Sequence, residues 1–306
     1  MINWLSFRSF LPLALSSSNA PSNARAGLFL ICLGIGSLSI SDAIAKELTG
    51  GYPVLEILFL RNLIALPIVV LLVWKLAGPS ALVSRQPVAH FLRGIVWVLA
   101  ATCFFTGLRY LGLAEATTLV FIAPVFITAI SALFLKEQVG WRRWSAVLAG
   151  FIGVVIVVRP GAGTFQTASV LPLVTAFLYA VFMLSARWLD KSESAWTLML
   201  YQVITGGVLT AIAMPFVWVT PNLDDIGLFL GIAVFGTAGV TMITQAFRLA
   251  PAATIAPFEY TALLWATLLG WLFWREIPDM ATYAGAAVIV ASGIFIVLRE
   301  GKIKDE

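Results

Sequence analysis

The feature that most constrains this chain is a succession of apolar blocks that runs almost from end to end. Each block is roughly 18–25 residues long, and about 20 apolar residues are enough for a helix to cross a hydrocarbon core about 30 Å thick. The ten blocks cover residues 27–48, 53–76, 88–108, 114–135, 141–158, 168–187, 194–219, 226–246, 252–274 and 280–298. The sequence therefore predicts an all-α polytopic membrane protein with ten transmembrane helices.

Composition agrees with this prediction and excludes several other classes of protein. Hydrophobic residues make up 60% of the chain and charged residues 11%, which is too little charge to cover a soluble domain of 306 residues. The blocks are apolar on every face, whereas strands of a membrane β-barrel alternate apolar and polar positions. Cys32, Cys103 and His90 form no ligand set for zinc or haem, so we expect neither a metal nor a cofactor.

Lysine and arginine residues are distributed asymmetrically, and this predicts how the chain is oriented. With the N-terminus in the cytoplasm, the cytoplasmic side holds fourteen of them: Arg8, Arg25, Lys75, Arg85, Arg93, Lys136, Arg142, Arg143, Arg187, Lys191, Arg248, Arg299, Lys302 and Lys304. The outer side holds four: Lys46, Arg109, Arg159 and Arg275. We therefore expect an inner-membrane protein with cytosolic tails at residues 1–26 and 301–306. The N-terminal tail is a poor match to a cleaved signal peptide.

An internal repeat relates the two halves of the chain. Sliding the second half over the first without gaps brings identical residues together: Thr102 and Thr241, Arg109 and Arg248, Ala123 and Ala262, Thr128 and Thr267, Glu137 and Glu276. Each half, 27–162 and 163–300, then contains five helices. Because five is odd, the second half is inverted relative to the first. Inverted repeats around a central cavity are typical of secondary transporters, although a duplicated scaffold would give the same pattern.

Four ionisable residues lie inside apolar blocks, where a charge costs about 2.5–3.5 kcal/mol. Glu259, two residues after Pro257, is predicted to be a cavity carboxylate that meets a substrate ammonium group or a proton; the alternative is an ion pair with Arg61. Asp42 and Lys46 are four residues apart and are expected to form a structural pair. Glu56 is expected to reach the lipid headgroups and is assigned no role.

Other polar and aromatic side chains suggest the wall of a pocket. Thr237, Thr241, Thr244 and Arg248 form one stripe with Gln245 beside it, and Thr102, Thr106 and Arg109 form the corresponding stripe on the third helix. These stripes either line a cavity or hold helices together through hydrogen bonds. The aromatic residues at block centres are Trp97, Phe121, Tyr179, Tyr260 and Trp265, and Met183 shares a helix face with Tyr179. Such a pocket suits an amphipathic solute.

Several functions lack their sequence signatures. The chain contains no phosphate-binding loop of the G-x-x-x-x-G-K-[ST] type, and no ATPase subunit is evident as a partner. No catalytic Ser/His/Asp set stands out, so we predict that the chain is not an enzyme. No basic run is long enough to follow a nucleic-acid backbone. The expected partners are membrane lipid and a small-molecule substrate.

Three segments resemble the EamA family of the drug/metabolite transporter superfamily. They are LEILFLRNLIALPIVVLLV (55–73), LRYLGLAEATTLVFIAPVFITAISALFLKEQVGWRRWSAVLAGFIGVVIV (108–157) and FRLAPAATIAPFEYTALLWATLLGWLFWREIPD (247–279). The resemblance implies two EamA repeats that form a basket around a central cavity. It also implies hinges at Pro124 and Pro257 and a structural or gating role for Arg61.

Within that family the chain resembles bacterial exporters of the YddG type, which export aromatic and other amino acids. This resemblance places Phe121 and Tyr179 in the pocket, and Ala123 replaces a large aromatic residue and enlarges it. The predicted substrate-binding residues are Trp97, Phe121, Tyr179, Met183, Thr241, Gln245, Glu259 and Tyr260. We expect an exporter of small metabolites, with amino acids favoured. The alternatives are a nucleoside-like metabolite, a cationic drug or a scaffold that transports nothing.

Overall fold

The computed structural model describes residues 20–133, 141–159, 166–185, 194–249 and 256–304, and within these ranges it contains helices and turns but no strand. The α-helices are α1 (Ala20–Leu48), α2 (Val54–Ala77), α3 (Pro87–Leu108), α4 (Leu113–Val120), α5 (Ala123–Leu133), α6 (Trp141–Val158), α7 (Val170–Ser185), α8 (Ala195–Ala211), α9 (Met214–Val217), α10 (Ile226–Leu249), α11 (Ala262–Trp274) and α12 (Met280–Lys304). Helix α1 begins at Ala20, so the last residues of the predicted N-terminal tail are helical.

Most of these helices are long and apolar enough to lie in a membrane. Six stretches could cross a bilayer by length and composition: Ala26–Leu48, Val54–Ala77, Pro87–Leu108, Leu113–Ile130, Thr167–Ser185 and Leu223–Ala246. Shorter apolar helices occupy Trp144–Val158, Trp196–Ala211 and Met280–Phe295. The prediction of an all-helical, multi-pass membrane protein is therefore confirmed at this level.

Prolines and a glycine mark the ends of the first helices, as their backbone chemistry requires. Pro53 precedes α2, and Pro87 is the first residue of α3, where its missing N–H is not needed by the helix. Gly78 follows α2 with φ of 85°, a conformation that side chains with a Cβ rarely adopt. These turns keep the connections between α1, α2 and α3 short.

The fourth apolar block is interrupted rather than continuous. Helix α4 ends at Val120, Phe121 and Ile122 form a turn, and α5 begins at Ala123. The ninth block shows a similar interruption, because a 3₁₀ turn over Ala256–Thr261 precedes α11, which begins at Ala262. The internal repeat pairs Ala123 with Ala262, so the two helices restart at equivalent positions of the two halves.

Helices from before and after residue 163 pack against one another throughout the bundle. Helix α1 packs on α10, α2 on α8, α3 on α7 and α8, and α6 on α12. Two of these crossings bring backbones together at glycine pairs. A Cβ on Gly34 would lie 3.0 Å from the carbonyl oxygen of Gly239, and a Cβ on Gly285 would lie 2.7 Å from that of Gly153. The halves are interleaved, and small residues allow the close approach.

The crossing of α6 and α12 gives a first testable prediction. Gly285→Ala should destabilise the protein by about 1–3 kcal/mol, because the new methyl group overlaps the backbone of Gly153. Gly227→Ala is the matched control, since nothing lies within 4 Å of its Cβ position. Thermal unfolding in detergent measures both. Equal melting temperatures for the two variants would show that the crossing is looser than described.

Candidate functional site

Aromatic side chains from the two interrupted segments are in contact. The ring centroids of Phe121 and Tyr260 lie 5.1 Å apart in an edge-to-face arrangement, a geometry worth about 0.5–1.5 kcal/mol beyond burial. The Tyr260 hydroxyl lies against Gly293 of α12, where a Cβ would occupy its space. The internal repeat also pairs Phe121 with Tyr260. Equivalent positions of the two halves therefore touch at this point, which we call the aromatic junction.

Glu259 lies next to the aromatic junction. Its carboxylate is close enough to act electrostatically on the phenols of Tyr179 and Tyr260. Protein surrounds much of the residue, and part of its surface stays accessible. Among the described residues no cation and no hydrogen-bond donor pairs with it. The alternative ion pair between Glu259 and Arg61 is therefore not found.

The predicted pair between Asp42 and Lys46 is wrong. The Lys46 ammonium group donates instead to Glu276 Oε1 at 2.5 Å and to the Leu111 carbonyl at 2.9 Å, because the end of α1 meets the segment before α4 and the loop before α12. Asp42 interacts electrostatically with Arg61 of α2. No nitrogen of Arg61 lies within the 4.0 Å of an Asp42 oxygen that would make a salt bridge.

The expectation that Glu56 reaches the lipid headgroups is also wrong. Its side chain is fully buried, and Oε2 accepts the backbone N–H of Val219 at 3.0 Å. The reason is that the segment after α9 covers the first turn of α2. Oε1 has no hydrogen-bond partner. Glu56 thus fixes the connection between α9 and α10 rather than facing solvent.

Threonine hydroxyls in both stripes form hydrogen bonds within their own helices rather than between helices. Thr102 and Thr244 donate to the carbonyls of Val98 and Val240 in their own helices, each at 2.7 Å. Neither hydroxyl therefore holds two helices together. Thr241 is the exception, because its buried Oγ1 has no partner. The role of Thr241 in substrate binding stays a prediction.

The other predicted pocket residues are spread more widely. The ring centroids of Trp97 and Phe182 lie 5.3 Å apart. The Arg93 guanidinium carbon lies 4.5 Å from the centroid of the Phe182 ring. Arg93, which the charge bias places on the cytoplasmic side, is 8% exposed and belongs to this neighbouring cluster. Gln245 is half-buried, with no described contact to the aromatic junction. Met183 is 39% exposed, which does not suit an enclosed pocket.

The predicted hinge residues occupy the two interruptions. Pro124 is the second residue of α5, where a missing N–H costs little, so it marks a helix start instead of a bend within a helix. Pro257 belongs to the 3₁₀ turn before α11. The described side-chain contacts do not extend to Pro257, and its role as a hinge stays a prediction.

A cavity that the sequence did not predict opens at the end of the bundle that contains Lys46. It has a volume of about 350 Å³, and its lining includes Glu115, Arg159, Gln166, Glu276, Asp279 and Thr282. Two ion pairs stand beside it, Lys46 with Glu276 and Arg159 with Asp279. Glu276 Oε2 also accepts the N–H of Leu113 at the start of α4, at 3.1 Å. All five charged residues lie near predicted outer ends of blocks, which is the signal that could have revealed this cluster.

Both halves of the chain match the profile of one protein family. The profile of the EamA-like transporter family matches the chain twice, over residues 25–159 and 166–298. The chain belongs to this family. The two matches divide the chain where the internal repeat divides it. A crystal structure with 18% sequence identity covers 93% of this chain and 99% of its own, with a TM-score of 0.62, and shares the fold.

Relatives in the family act on several kinds of small molecule. The chain is 27% identical over 280 residues to an S-adenosylmethionine uptake transporter of Rickettsia bellii, covering 90% of this chain and 94% of the relative. It is 30% identical over 276 residues to the pseudopaline exporter CntI of Pseudomonas aeruginosa, covering 88% and 95%. It is 29% identical over 279 residues to a riboflavin transporter of Vibrio cholerae, covering 90% and 93%. Amino acid export finds no specific support in these three names.

The unpartnered hydroxyl of Thr241 gives a second prediction. Thr241→Val should raise the free energy of unfolding by up to roughly 1–3 kcal/mol, because a buried polar atom without a partner disappears. Thr244→Val is the matched control, since that hydroxyl already has an acceptor. Thermal unfolding in detergent compares the two. A destabilised Thr241→Val variant would mean that the hydroxyl is satisfied in the folded protein and would remove it from the site.

Asp279, outside the membrane-spanning segments, gives a prediction about pH. The Thr282 N–H, at 2.8 Å, and the Arg159 guanidinium lower the pKa of this carboxyl. A lowered pKa adds stability that is present above the unfolded value of about 3.9 and is lost as the pH falls through the folded value. Asp279→Asn should therefore flatten the decline of melting temperature below about pH 4, whereas Asp224→Asn, in another turn, should not. Parallel declines for all three proteins would contradict this assignment.

Proposed function

We propose that this protein transports small amphipathic organic molecules across the membrane by alternating access between two inverted five-helix repeats. The observation that carries the proposal is the aromatic junction, where Phe121 and Tyr260 meet beside Glu259. An apolar cluster with one carboxylate suits a solute that has both a ring and a polar group. Its location between the halves means that a relative movement of the halves changes access to it.

Three observations support the inverted arrangement with ten spans. The family profile matches each half separately, and α5 and α11 begin at equivalent positions. The packing is also consistent with a two-fold relation between the halves. Exchanging the halves turns the pair of α1 and α10 into the pair of α7 and α3, which also pack together. The same exchange leaves the pair of α2 and α8 and the pair of α6 and α12 unchanged. With residues 134–140 and 250–255 outside the described ranges, the fourth and ninth spans are each partly described.

Orientation is a further part of the proposal. We infer that both termini lie in the cytoplasm of a bacterial inner membrane. Lys46, Arg159 and Asp279, which the charge bias assigns to the outer side, meet at one end of the bundle. The ion pairs at that end join the two halves, because Lys46 and Arg159 belong to the first and Glu276 and Asp279 to the second. They have to separate if the halves move apart there.

Amino acids remain the substrate class favoured by the sequence, with export as the direction. A nucleoside-like solute is the second candidate, and a specific observation favours it. Two relatives that match this chain over most of their length are transporters of S-adenosylmethionine and of riboflavin. Both candidates combine a planar ring or apolar side chain with polar groups, as the residues around the aromatic junction would require. A scaffold that transports nothing would not need an unpaired carboxylate among half-buried aromatic side chains.

The experiment is flux of labelled solutes in proteoliposomes, with and without a pH gradient. S-adenosylmethionine, riboflavin and the amino acids are the probes. We expect saturable movement of at least one of them. Glu259→Gln should slow the flux of a cationic or zwitterionic solute roughly tenfold, because an interaction with a charged group contributes about 1.5–3 kcal/mol.

Two controls make that result interpretable. Glu47→Gln changes an exposed carboxylate on α1 and should leave flux unchanged. Tyr179→Phe removes a hydroxyl but keeps the ring, which separates ring contact from hydrogen bonding. Properly folded Glu259→Gln protein with unimpaired flux would remove Glu259 from the site. Absence of flux for every probe would contradict the proposed substrate classes.

A further inference from the structure

Asp42 and Arg61 lie at the same depth in the bundle. Asp42 is six residues before the end of α1, and Arg61 is seven residues after the start of α2. Residues 49–53 connect the two helices, and both helices pack against α10. At 1.5 Å per residue, Asp42 and Arg61 lie about 9 Å and about 10 Å along their helices from this connection. Opposite charges thus stand level with each other within the membrane-spanning region.

Each of these charges is without a direct partner among the described residues. Their interaction with each other is electrostatic, over more than 4.0 Å. Lys46, the cation nearest to Asp42 along α1, donates hydrogen bonds to Glu276 and to the Leu111 carbonyl. Protein surrounds Asp42 and Arg61, yet both keep some accessible surface. Neither residue is therefore completely sealed from its surroundings.

The guanidinium of Arg61 lies against the backbone of α10, close to Ser41. A Cβ on Gly236 of α10 would lie 3.3 Å from Nη2 and 3.4 Å from Nε of Arg61. The guanidinium thus rests against bare backbone. Ser41, beside it, is engaged with the Ile232 carbonyl at 3.2 Å. The guanidinium presents five N–H donors in a planar fork, the geometry that binds a carboxylate through two parallel hydrogen bonds.

A purely structural ion pair would be arranged differently. Two charges embedded in a bundle repay their desolvation only when they are in direct contact and fully hydrogen-bonded. Asp42 and Arg61 are separated, and each offers unused hydrogen-bonding capacity of opposite kind. Their complement is a group that carries an ammonium and a carboxylate on neighbouring atoms.

We propose that Asp42 and Arg61 form a head-group subsite for the α-amino-acid end of the transported solute. Asp42 accepts hydrogen bonds from the ammonium group, and Arg61 donates two to the carboxylate. The inference rests on the proposed transport function and names the part of the solute that the aromatic junction does not recognise. It unites the two candidate classes, because free amino acids and S-adenosylmethionine share this end group and riboflavin lacks it.

The geometry along α1 links this subsite to the aromatic junction. Gly36 is six residues before Asp42, about 9 Å along the helix. The indole of Trp265 rests on Gly36, since a Cβ there would lie 2.9 Å from its Cε2 atom. Trp265 belongs to α11, which starts two residues after Tyr260. A solute with its charged head at Asp42 and Arg61 can thus extend its ring towards Trp265 and Tyr260.

The test compares binding of S-adenosylmethionine with that of 5′-methylthioadenosine, which keeps the adenosine and the sulfur but lacks the amino-acid end. Purified full-length protein is used in detergent or nanodiscs, and competition with free methionine provides a third probe. Asp42→Asn and Arg61→Gln should each weaken S-adenosylmethionine binding at least tenfold and leave 5′-methylthioadenosine within twofold of wild type. Glu47→Gln and Lys75→Gln, exposed charges on the same two helices, should change neither.

The double variant Asp42→Asn with Arg61→Gln separates recognition from stability. If the two charges only neutralise each other, removing both restores S-adenosylmethionine binding relative to the single variants and overturns the proposal. If they bind the head group, the double variant is stable but stays weak for S-adenosylmethionine. Wild-type protein that binds 5′-methylthioadenosine or riboflavin as tightly as S-adenosylmethionine overturns the subsite and leaves transport standing. Wild-type protein that neither binds nor moves any probe overturns both.

Discussion

Peptide groups find no hydrogen-bond partners in hydrocarbon, and this constraint shapes the whole protein. Within a bilayer the chain has to satisfy its N–H and C=O groups internally, which makes the helix the default for every apolar block. A break in a helix is tolerated only where other protein or trapped water covers the exposed groups. The two interruptions, at Phe121–Ile122 and at Ala256–Thr261, are such places. The two interruptions touch through the rings of Phe121 and Tyr260, which form the aromatic junction.

The same constraint sorts the charged residues of the bundle. Glu276 holds Lys46 and the start of α4, so its charge is used to fix structure. Glu56 fixes the segment after α9 in a comparable way. Glu259, Asp42 and Arg61 have no such contacts among the described residues, although burying them is equally costly. Charges without a direct partner in the bundle fit our proposal that a molecule is bound there for part of the time.

Much of the fold could be read from the sequence because length and apolarity determine a membrane helix almost by themselves. The approximate extent of most apolar blocks and the division into two matching halves followed from simple patterns. The roles of Phe121, Tyr260 and Glu259 in binding stay proposals. The partners of charged residues did not, because partners are set by which helix ends meet. Asp42 and Lys46 share a helix face, yet Lys46 turns to Glu276, 230 residues away in the chain. Sequence spacing predicts neighbours along one helix but is silent about the helix across the interface.

The glycine crossings of α1 with α10 and of α6 with α12 have a mechanical consequence. Most helix pairs interlock through side chains, so turning one against the other means disengaging ridges from grooves. Where bare backbone meets bare backbone, at Gly34 with Gly239 and at Gly153 with Gly285, there is little to disengage. Each crossing can act as a pivot between the halves. Two pivots define a line, and any rocking of one half against the other that keeps both contacts has to take place about that line.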